Sequence, residues 1–286
     1  MSDFYKYHCS GNDYIVIDPR KLKFKLRLNT RNIKLICNRK YGIGSDGILF
    51  GPIIKKDKIA VKIFNSGGSE AEKSGNGIRI FALYLYETGY VKNKNFDIYV
   101  TSGVTSIEIL DLRSALIKVN MGRYPFPRYN VSVNSNYYNP FLHKEIELFG
   151  KKEKINYVNV GNPHCVIIKD SISEKYIKKL GPVLENHILF PNGTNVQLLQ
   201  VLDKSNIKIE IWERGVGYTL SSGTSSLATS CIAYKLGLVD HKITVHMAGG
   251  DSSVDIVGKE LFLIGNVSQV NNGVLRNEFI NKLLNY

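Results

Sequence analysis

The sequence predicts an α/β (α+β) protein made of two pseudo-symmetric, strand-rich domains related by an internal duplication. Lys58–Gly75 (KIAVKIFNSGGSEAEKSG) aligns without a gap on Asn206–Gly223 (NIKIEIWERGVGYTLSSG), 148 residues later. A second echo, Gly11-Asn12 against Gly161-Asn162, recurs at an offset of 150 residues. Short strand patterns dominate both halves, and one apolar helix follows each repeated Ser-Gly turn. We therefore expect two half-sites that face one ligand from opposite sides.

The predicted strands are short, rich in β-branched or aromatic residues, and bounded by turn residues. They are Tyr14–Asp18, Ile59–Phe64, Phe96–Thr101, Thr105–Leu110, Ala115–Asn120, Cys165–Lys169, Ile207–Trp212, Ile243–His246 and Glu260–Ile264. One further alternating segment, Arg20–Arg27 (RKLKFKLR), predicts an edge strand whose charged outer face discourages strand pairing.

Helical spacing of apolar residues predicts four helices, over Asn32–Asn38, Gly77–Thr88, Glu174–Leu180 and Ser225–Leu236. The second and the fourth follow the two Ser-Gly turns, and each ends near a glycine, as helices commonly do. Each half is thus predicted to hold many strands around one central apolar helix. The Pro-punctuated segment Met121–Arg128 predicts a linker. The predicted domains are residues 1–122 together with about 268–286, and residues 123–267.

Composition favours an ordinary globular protein with a small anionic substrate. The chain has 286 residues, 43% of them hydrophobic, and a formal net charge of +13. Apart from the alternating segment described above the basic residues are dispersed, which argues against nucleic acid as a partner. No apolar run has membrane-spanning length, so no membrane association is expected. The four cysteines form no CxxC pair and no zinc-type cluster, which predicts reduced thiols, no metal site and a cytoplasmic location.

The chemistry is expected at the two repeated turns, Ser74-Gly75-Asn76-Gly77 and Ser222-Gly223-Thr224-Ser225. Small residues at a helix start allow a ligand to approach the backbone N–H groups closely, and the helix dipole favours an anion there. Two such starts would bind one α-carboxylate and stabilise negative charge on the adjacent carbon. Serine is also simply a good N-cap. Duplication at a fixed offset favours the functional interpretation.

The same segments carry a resemblance to a known family. FNSGGSEAEKSGNGIR (Phe64–Arg79) resembles the FNADGSEAEMCGNGIR signature of the diaminopimelate epimerases. Further matches follow in the family's order, from residue 8 to about residue 250. They are HCSGNDYIVID (His8–Asp18), YGIGSDGILF (Tyr41–Phe50), GNPHCV (Gly161–Val166), NGTNV (Asn192–Val196) and WERGVGYTLSSGT (Trp212–Thr224).

The resemblance implies two similar domains, each a β-barrel-like sheet around a central helix, with the site in the interdomain cleft. It also implies isomerisation without a cofactor, converting LL-diaminopimelate to the meso form for lysine and peptidoglycan synthesis. In the family one cysteine thiolate removes the α-proton and a second thiol returns one on the opposite face. The matching positions here are Ser74 and Ser222, which is the main departure from the family. The resemblance leaves a homodimer open.

The resemblance also assigns roles to other residues. His164 and Glu213 match the groups that lie beside the two thiols and hold or tune their protons. The remaining positions match substrate contacts or the two helix starts: Asn12, Asn65, Gly75, Asn76, Asn162, Asn195, Arg214, Gly223 and Thr224. Arg214 would take a carboxylate in a forked geometry.

Because alcohols are far weaker acids than thiols, the two serines predict a chain that binds its substrate and fails to turn it over. The serines could be an engineered exchange or an evolved one, which the native codons at positions 74 and 222 would decide. A natural non-catalytic amino-acid-binding paralogue and a racemase of another amino acid are the alternatives. Tyr218 and Ser225 also differ from the common family residues, Glu and Gly, and loosen the substrate assignment.

Overall fold

The computed structural model of the protein describes residues 2–123 and 140–284. It divides into two compact units, one formed by Met1–Asn120 with Gly265–Tyr286 and the other by Met121–Ile264. Among the described residues, no helix is long and apolar enough to cross a membrane.

The first unit combines a mixed sheet with three helices. Its strands are β1 (Phe4–Cys9), β2 (Asn12–Ile17), β3 (Gly47–Lys55), β4 (Lys58–Asn65), β5 (Glu70–Ala71), β6 (Asn95–Val100), β7 (Gly103–Asp111), most of β8 (Leu116–Arg123), and β18 (Ser268–Gly273). Its helices are α1 (Thr30–Cys37), α2 (Gly75–Glu87) and α5 (Asn277–Leu284). The strands pair in the order β18-β1-β2-β3-β4-β6-β7-β8, and β5 adds to β4.

The second unit repeats this arrangement. Its strands are β9 (Phe141–Leu148), β10 (Lys151–Asn159), β11 (Pro163–Ile168), β12 (Asn195–Val201), β13 (Asn206–Glu213), β14 (Gly217–Thr219), β15 (Lys242–Met247), β16 (Gly250–Val257) and β17 (Glu260–Asn266). Its helices are α3 (Glu174–Glu185) and α4 (Gly223–Lys235). The pairing order is β9-β10-β11-β12-β13-β15-β16-β17, and β14 adds to β13.

The duplication extends to the register of the strands. In both units the third and fourth strands of this order are parallel, as are the fifth and sixth, and the other pairs are antiparallel. Tyr14 pairs with Gly47 in the first unit and His164 pairs with Asn195 in the second. The predicted repeat is therefore a repeat of structure, and the predicted fold class is confirmed.

Each unit encloses one helix and carries a second on its outer face, and in the first unit α5 packs against the same cluster as α1. Nearly every residue of the first three turns of α2 and α4 is buried, and each helix contacts several strands of its own sheet. Both helices end at a glycine in the left-handed region, Gly89 and Gly237, as the sequence predicts. Helices α1 and α3 show apolar residues on one face only and pack against separate hydrophobic clusters.

Two sequence predictions are corrected by the structure. The segment Arg20–Arg27 is irregular and not a strand. Its alternation has another cause, since Leu22, Phe24 and Leu26 turn towards the cluster beneath α1. The ammonium of Lys21 lies 4.9 to 5.9 Å from three tyrosine ring centres. In the predicted linker, Met121–Arg123 is the end of β8, and residues 124–128 lie outside the described residues.

Ten elements had no sequence prediction. Several of them, such as β9 and β18, are largely exposed and polar, so that alternation of apolar residues is absent. The unpredicted elements are β1, β3, β5, β9, β10, β12, β14, β16, β18 and α5.

Candidate active site

In each unit the predicted site residues gather at one end of the sheet. Asn12 begins β2 and Asn65 ends β4, while Gly47, which begins β3, pairs with Asn65. In the second unit Asn195 begins β12 and Glu213 ends β13 in the equivalent way. Parallel neighbours start at the same edge of a sheet, so in each unit these residues lie at one edge although they are distant in sequence.

The first helix start is capped by Ser74. Its Oγ accepts a hydrogen bond of 3.1 Å from the backbone N–H of Gly77, and its extended backbone marks it as the N-cap of α2. The phenol of Tyr14 lies 3.1 Å from the same Oγ. The Tyr14 ring passes so close to Gly47 that a Cβ there would lie 2.6 Å from Cε1, hence only glycine fits.

Two predicted amides of the first unit are in direct contact. The Nδ2 of Asn76 donates to the Oδ1 of Asn12 at 2.9 Å, and the Nδ2 of Asn12 donates to Asp46 at 3.0 Å. Asn65 is engaged elsewhere, since its Nδ2 donates to the Oγ of Ser69. The structure therefore groups Asn12 and Asn76 with the start of α2, and Asn65 lies within its own turn.

The second helix start is linked to a histidine through polar side chains. Ser222 caps α4, its Oγ accepting from the N–H of Ser225 at 3.3 Å and lying 3.4 Å from the Oγ1 of Thr224. Asn162 donates to that Oγ1 at 3.5 Å, and its Oδ1 lies 2.8 Å from the Nε2 of His164. Four predicted site residues are thus connected in one network.

His164 is a neutral imidazole in this network. Complete burial lowers its pKa to about 3, and the positive charge of Arg214 acts in the same direction. Nε2–H therefore donates to Asn162, and Nδ1 needs a donor. The amide of Gln197 lies beside the ring, and both its Oε1 and the Nδ1 of His164 lack a hydrogen-bond partner in the described structure. Rotating the Gln197 amide by 180° satisfies both atoms. Nε2 then donates to the Nδ1 of His164, and Oε1 accepts from the Oγ of Ser225.

We expect His164 to remain uncharged between pH 9 and pH 5. Its pKa of about 3 lies below an ordinary histidine value, so the ring gains a proton only as the pH falls towards that value. Ring resonances in a histidine NMR titration check this, with a His164→Gln variant to assign the signal. A His164 midpoint above pH 5 would contradict the expected burial effect.

The turn that carries Glu213 and Arg214 is anchored at several points. The carboxylate of Glu185 accepts from the Trp212 indole at 2.7 Å and from the N–H of Gly215 at 2.8 Å. The N–H of Arg214 donates to the Oδ1 of Asn195 at 3.0 Å. Glu213 is predicted to lie beside a catalytic position and Arg214 to contact the substrate, and these bonds fix the turn that carries both.

The guanidinium of Arg214 is held close to the backbone. It donates to the carbonyl of Asn192 at 2.9 Å, and a Cβ on Gly193 would lie 2.9 Å from its Cδ. Gly193 also has a φ of +71°, where glycine is favoured. The NGTNV segment is thereby explained as the support for this arginine.

Sequence reasoning missed three side chains of this site: Tyr14, Asp46 and Gln197. Tyr14 could have been found, since the offset of 150 residues aligns it with His164 and both follow an asparagine by two positions on a strand. Asp46 and Gln197 have no equivalent signal.

Within residues 2–123 and 140–284, no group of three His, Cys, Asp or Glu side chains is arranged to hold a metal ion.

Known proteins resemble this chain over most of its length. Diaminopimelate epimerase 2 from Nostoc sp. strain PCC 7120 is 46% identical to this chain over 261 residues, which cover 88% of each protein. A diaminopimelate epimerase from Alkaliphilus metalliredigens is 34% identical and covers 97% of this chain and 98% of its own.

Fold comparison gives a more distant likeness. The crystal structure of a hydroxyproline epimerase from Agrobacterium vitis superposes with a TM-score of 0.68 at 12% identity, covering 94% of this chain and 89% of its own. At that identity the likeness concerns the fold alone.

The sequence model of the diaminopimelate epimerase family matches residues 4–127 and 156–270, which include both helix starts. The chain thus belongs to the diaminopimelate epimerase family, a family of isomerases that act on a small molecule.

Proposed function

We propose that this protein binds diaminopimelate and that, as the chain stands, it does not interconvert the LL and meso forms. The observation that carries this proposal is the pair of serines, Ser74 and Ser222, at the N-caps of the two buried helices. A two-base transfer needs one group that accepts a proton and one that returns it. Each unit offers one position for such a group, and both positions hold an alcohol.

The surroundings of the two hydroxyls do not make them bases. The recorded partners of Ser74 Oγ are a phenol and a backbone N–H, and those of Ser222 Oγ are the Thr224 hydroxyl and a backbone N–H. An alcohol is about five pKa units less acidic than a thiol, which corresponds to about 7 kcal/mol at about 1.36 kcal/mol per unit. His164 is neutral, but it is separated from Ser222 by two side chains and donates to Asn162.

Binding is supported by what is retained around these positions. The first N–H groups of α2 and α4 have no acceptor within their helices, and the helix dipole favours an anion there. Asn12 and Asn76 lie at one helix start, and Asn162 and Thr224 lie at the other. Arg214 supplies a guanidinium with donors beyond the one used by Asn192. This donor set suits an amino acid that carries two carboxylates.

Tyr218 and Ser225, the two further departures from the family, each form contacts with neighbouring side chains of the second unit. The hydroxyl of Tyr218 donates to Glu210 at 3.0 Å, and the ammonium of Lys178 lies 4.8 Å from its ring centre. The hydroxyl of Ser225 forms a hydrogen bond with the side-chain amide of Gln197 at 3.0 Å. These contacts account for both residues without a change of substrate. A non-catalytic paralogue that binds an amino acid remains the second candidate, favoured by the same two serines.

Calorimetry on the unmodified protein tests the proposal. We expect LL- and meso-diaminopimelate to bind, lysine to bind more weakly because it lacks the second carboxylate, and no α-proton exchange to occur in deuterium oxide. Arg214→Gln should weaken binding by about tenfold or more, since a charged hydrogen bond is lost. Arg113→Gln, at an exposed turn, is the matched control. The absence of binding by both isomers would refute the assignment.

We also propose that the protein acts in the cytoplasm, where its four buried thiols stay reduced. Its basic groups are spread over the chain, so neither nucleic acid nor a membrane is proposed as a partner. A homodimer remains an open proposal. Sedimentation at several protein concentrations distinguishes a monomer from a dimer.

A further inference from the structure

Four polar side chains of the first unit form a continuous hydrogen-bonded chain. Arg79 donates through Nη2 to the Oδ1 of Asn76. Asn76 donates to Asn12 at 2.9 Å, and Asn12 donates to the Oδ2 of Asp46 at 3.0 Å. This row of hydrogen bonds begins at Arg79 inside α2, passes the start of that helix, and ends at Asp46 on the loop before β3. Its two middle members are the amides that the proposed function assigns to ligand binding.

The two ends give this chain a single direction. A guanidinium can only donate hydrogen bonds, and a carboxylate can only accept them. Asn76 must therefore turn its oxygen towards Arg79, and Asn12 must turn its nitrogen towards Asp46. An asparagine amide between neutral groups could rotate by half a turn, whereas these two have one orientation that satisfies both neighbours.

Asp46 is surrounded by donors on both oxygens. Oδ1 accepts from the guanidinium of Arg39 at 2.8 Å, and Oδ2 accepts from Asn12 and from the backbone N–H of Asp13 at 3.1 Å. An asparagine at position 46 would place its NH2 group against one of these donors in either orientation. The site therefore requires a carboxylate, although the side chain is 43% exposed.

Arg79 is unusual in its burial. The residue is 3% exposed, and its Nε has no hydrogen-bond partner in the described structure. Within the same described residues, no salt bridge includes Arg79. A buried cation is costly unless it is hydrogen bonded and compensated. Its recorded link to a negative charge is the chain through Asn76 and Asn12.

We propose that Asp46 and Arg79 are positioning residues that orient the amides of Asn12 and Asn76 for ligand binding. This inference rests on the proposed function. Each amide uses one N–H and its oxygen within the chain and keeps its second N–H. The first half-site thus presents donors, which suit a carboxylate of the ligand better than its ammonium. The second unit differs, because Asn162 lies between the neutral groups Thr224 and His164.

Asp46→Asn tests the proposal in the ligand-free protein. We expect the side-chain NH2 resonances of both Asn12 and Asn76 to shift, although Asn76 is two hydrogen bonds away from position 46. Arg79→Lys, which alters the other end, should shift the Asn12 signals in the same way. Glu108→Gln is the matched control, since it removes a carboxylate that is 46% exposed and paired with Lys118. The control should leave both amides unchanged.

Calorimetry with meso-diaminopimelate completes the test. Asp46→Asn should weaken binding at least about tenfold, or about 1.4 kcal/mol, with a melting temperature similar to that of Glu108→Gln. Unchanged Asn76 signals in Asp46→Asn, or unchanged affinity of that variant, would overturn the proposal. If the parent protein binds no diaminopimelate, the proposed function fails, and the resonances alone then decide whether the chain orients the amides.

Discussion

The double variant Ser74→Cys/Ser222→Cys is expected to exchange the α-proton of diaminopimelate and to interconvert the LL and meso forms. The N-cap position exposes each thiol to the positive end of a helix, which lowers a thiol pKa towards neutrality. General acid–base groups contribute about 10² to 10⁴ in rate each, so we expect a gain of at least about 1,000-fold over the parent. Mass spectrometry of deuterium incorporation and chiral chromatography measure exchange and epimerisation separately.

The single variants make this expectation more specific. Ser74→Cys and Ser222→Cys should each promote exchange of one isomer more than epimerisation, because only one of the two positions then carries a thiol. The variant Ser74→Ala/Ser222→Ala controls for the loss of two N-caps, which costs about 0.5 to 2 kcal/mol each. If the double cysteine variant binds diaminopimelate without exchanging its α-proton, the role assigned to positions 74 and 222 is wrong.

The variant Asp13→Asn is expected to lower the free energy of unfolding by about 2 kcal/mol at pH 7. Asp13 is 7% exposed and accepts a forked pair of hydrogen bonds from Arg39, at 2.8 and 3.0 Å. Lys6 forms a second ion pair at 3.0 Å. Burial alone would raise the Asp13 pKa, but these two cations outweigh it and lower the pKa to about 2. The pKa of the neighbouring Asp46, by contrast, is raised by burial and by the charge of Asp13.

The sign of the pH dependence follows from the lowered pKa of Asp13. The unfolded chain takes up its proton near the ordinary value of 3.8, and the folded chain does so near 2. The stabilisation is therefore present above about pH 4 and is lost as the pH falls towards 2, so the difference between parent and Asp13→Asn should shrink over that interval. Denaturant unfolding at pH 7, 4 and 3 measures it.

Glu278→Gln provides the contrast for Asp13→Asn. Glu278 pairs with Lys282 one helical turn away, and both side chains are largely exposed. Exposed pairs of this kind contribute little to stability, so Glu278→Gln should unfold almost as the parent does. A loss in Asp13→Asn that persists undiminished at pH 3 would show that the effect does not come from the carboxylate charge.

The fold was largely predictable because the sequence patterns that reveal its duplication involve residues close together along the chain. Alternating residues predicted nine of the strands, and the repeated Ser-Gly turns predicted the starts of α2 and α4. Residues 20–27 show the limit of such patterns. Alternation shows which side chains face the core, but a strand also needs a backbone partner. Within the described part of the chain, residues 20–27 pair with no strand.

The candidate site was predictable in part. Ser74 and Ser222 lie where the sequence placed them, since an N-cap contacts a backbone group three residues away. Asn12 and Asn76 are joined by a bond that spans 64 positions, and Asn162 and Thr224 by one that spans 62. The resemblance named these residues as ligand contacts. Their assigned roles stay predictions, and the variants described above test them.

By itself the sequence determined the duplicated fold and the two serines at the helix starts, because periodicity and capping depend on residues that are close along the chain. Its ordered motifs indicated the family. Only the tertiary structure decided what surrounds those serines. The phenol of Tyr14 at Ser74, the Gln197 amide at His164, and the carboxylate of Asp46 at Asn12 depend on which strands lie side by side and in which register. A slip of one residue in β2 or β12 would turn Tyr14 or Gln197 to the opposite face of its sheet.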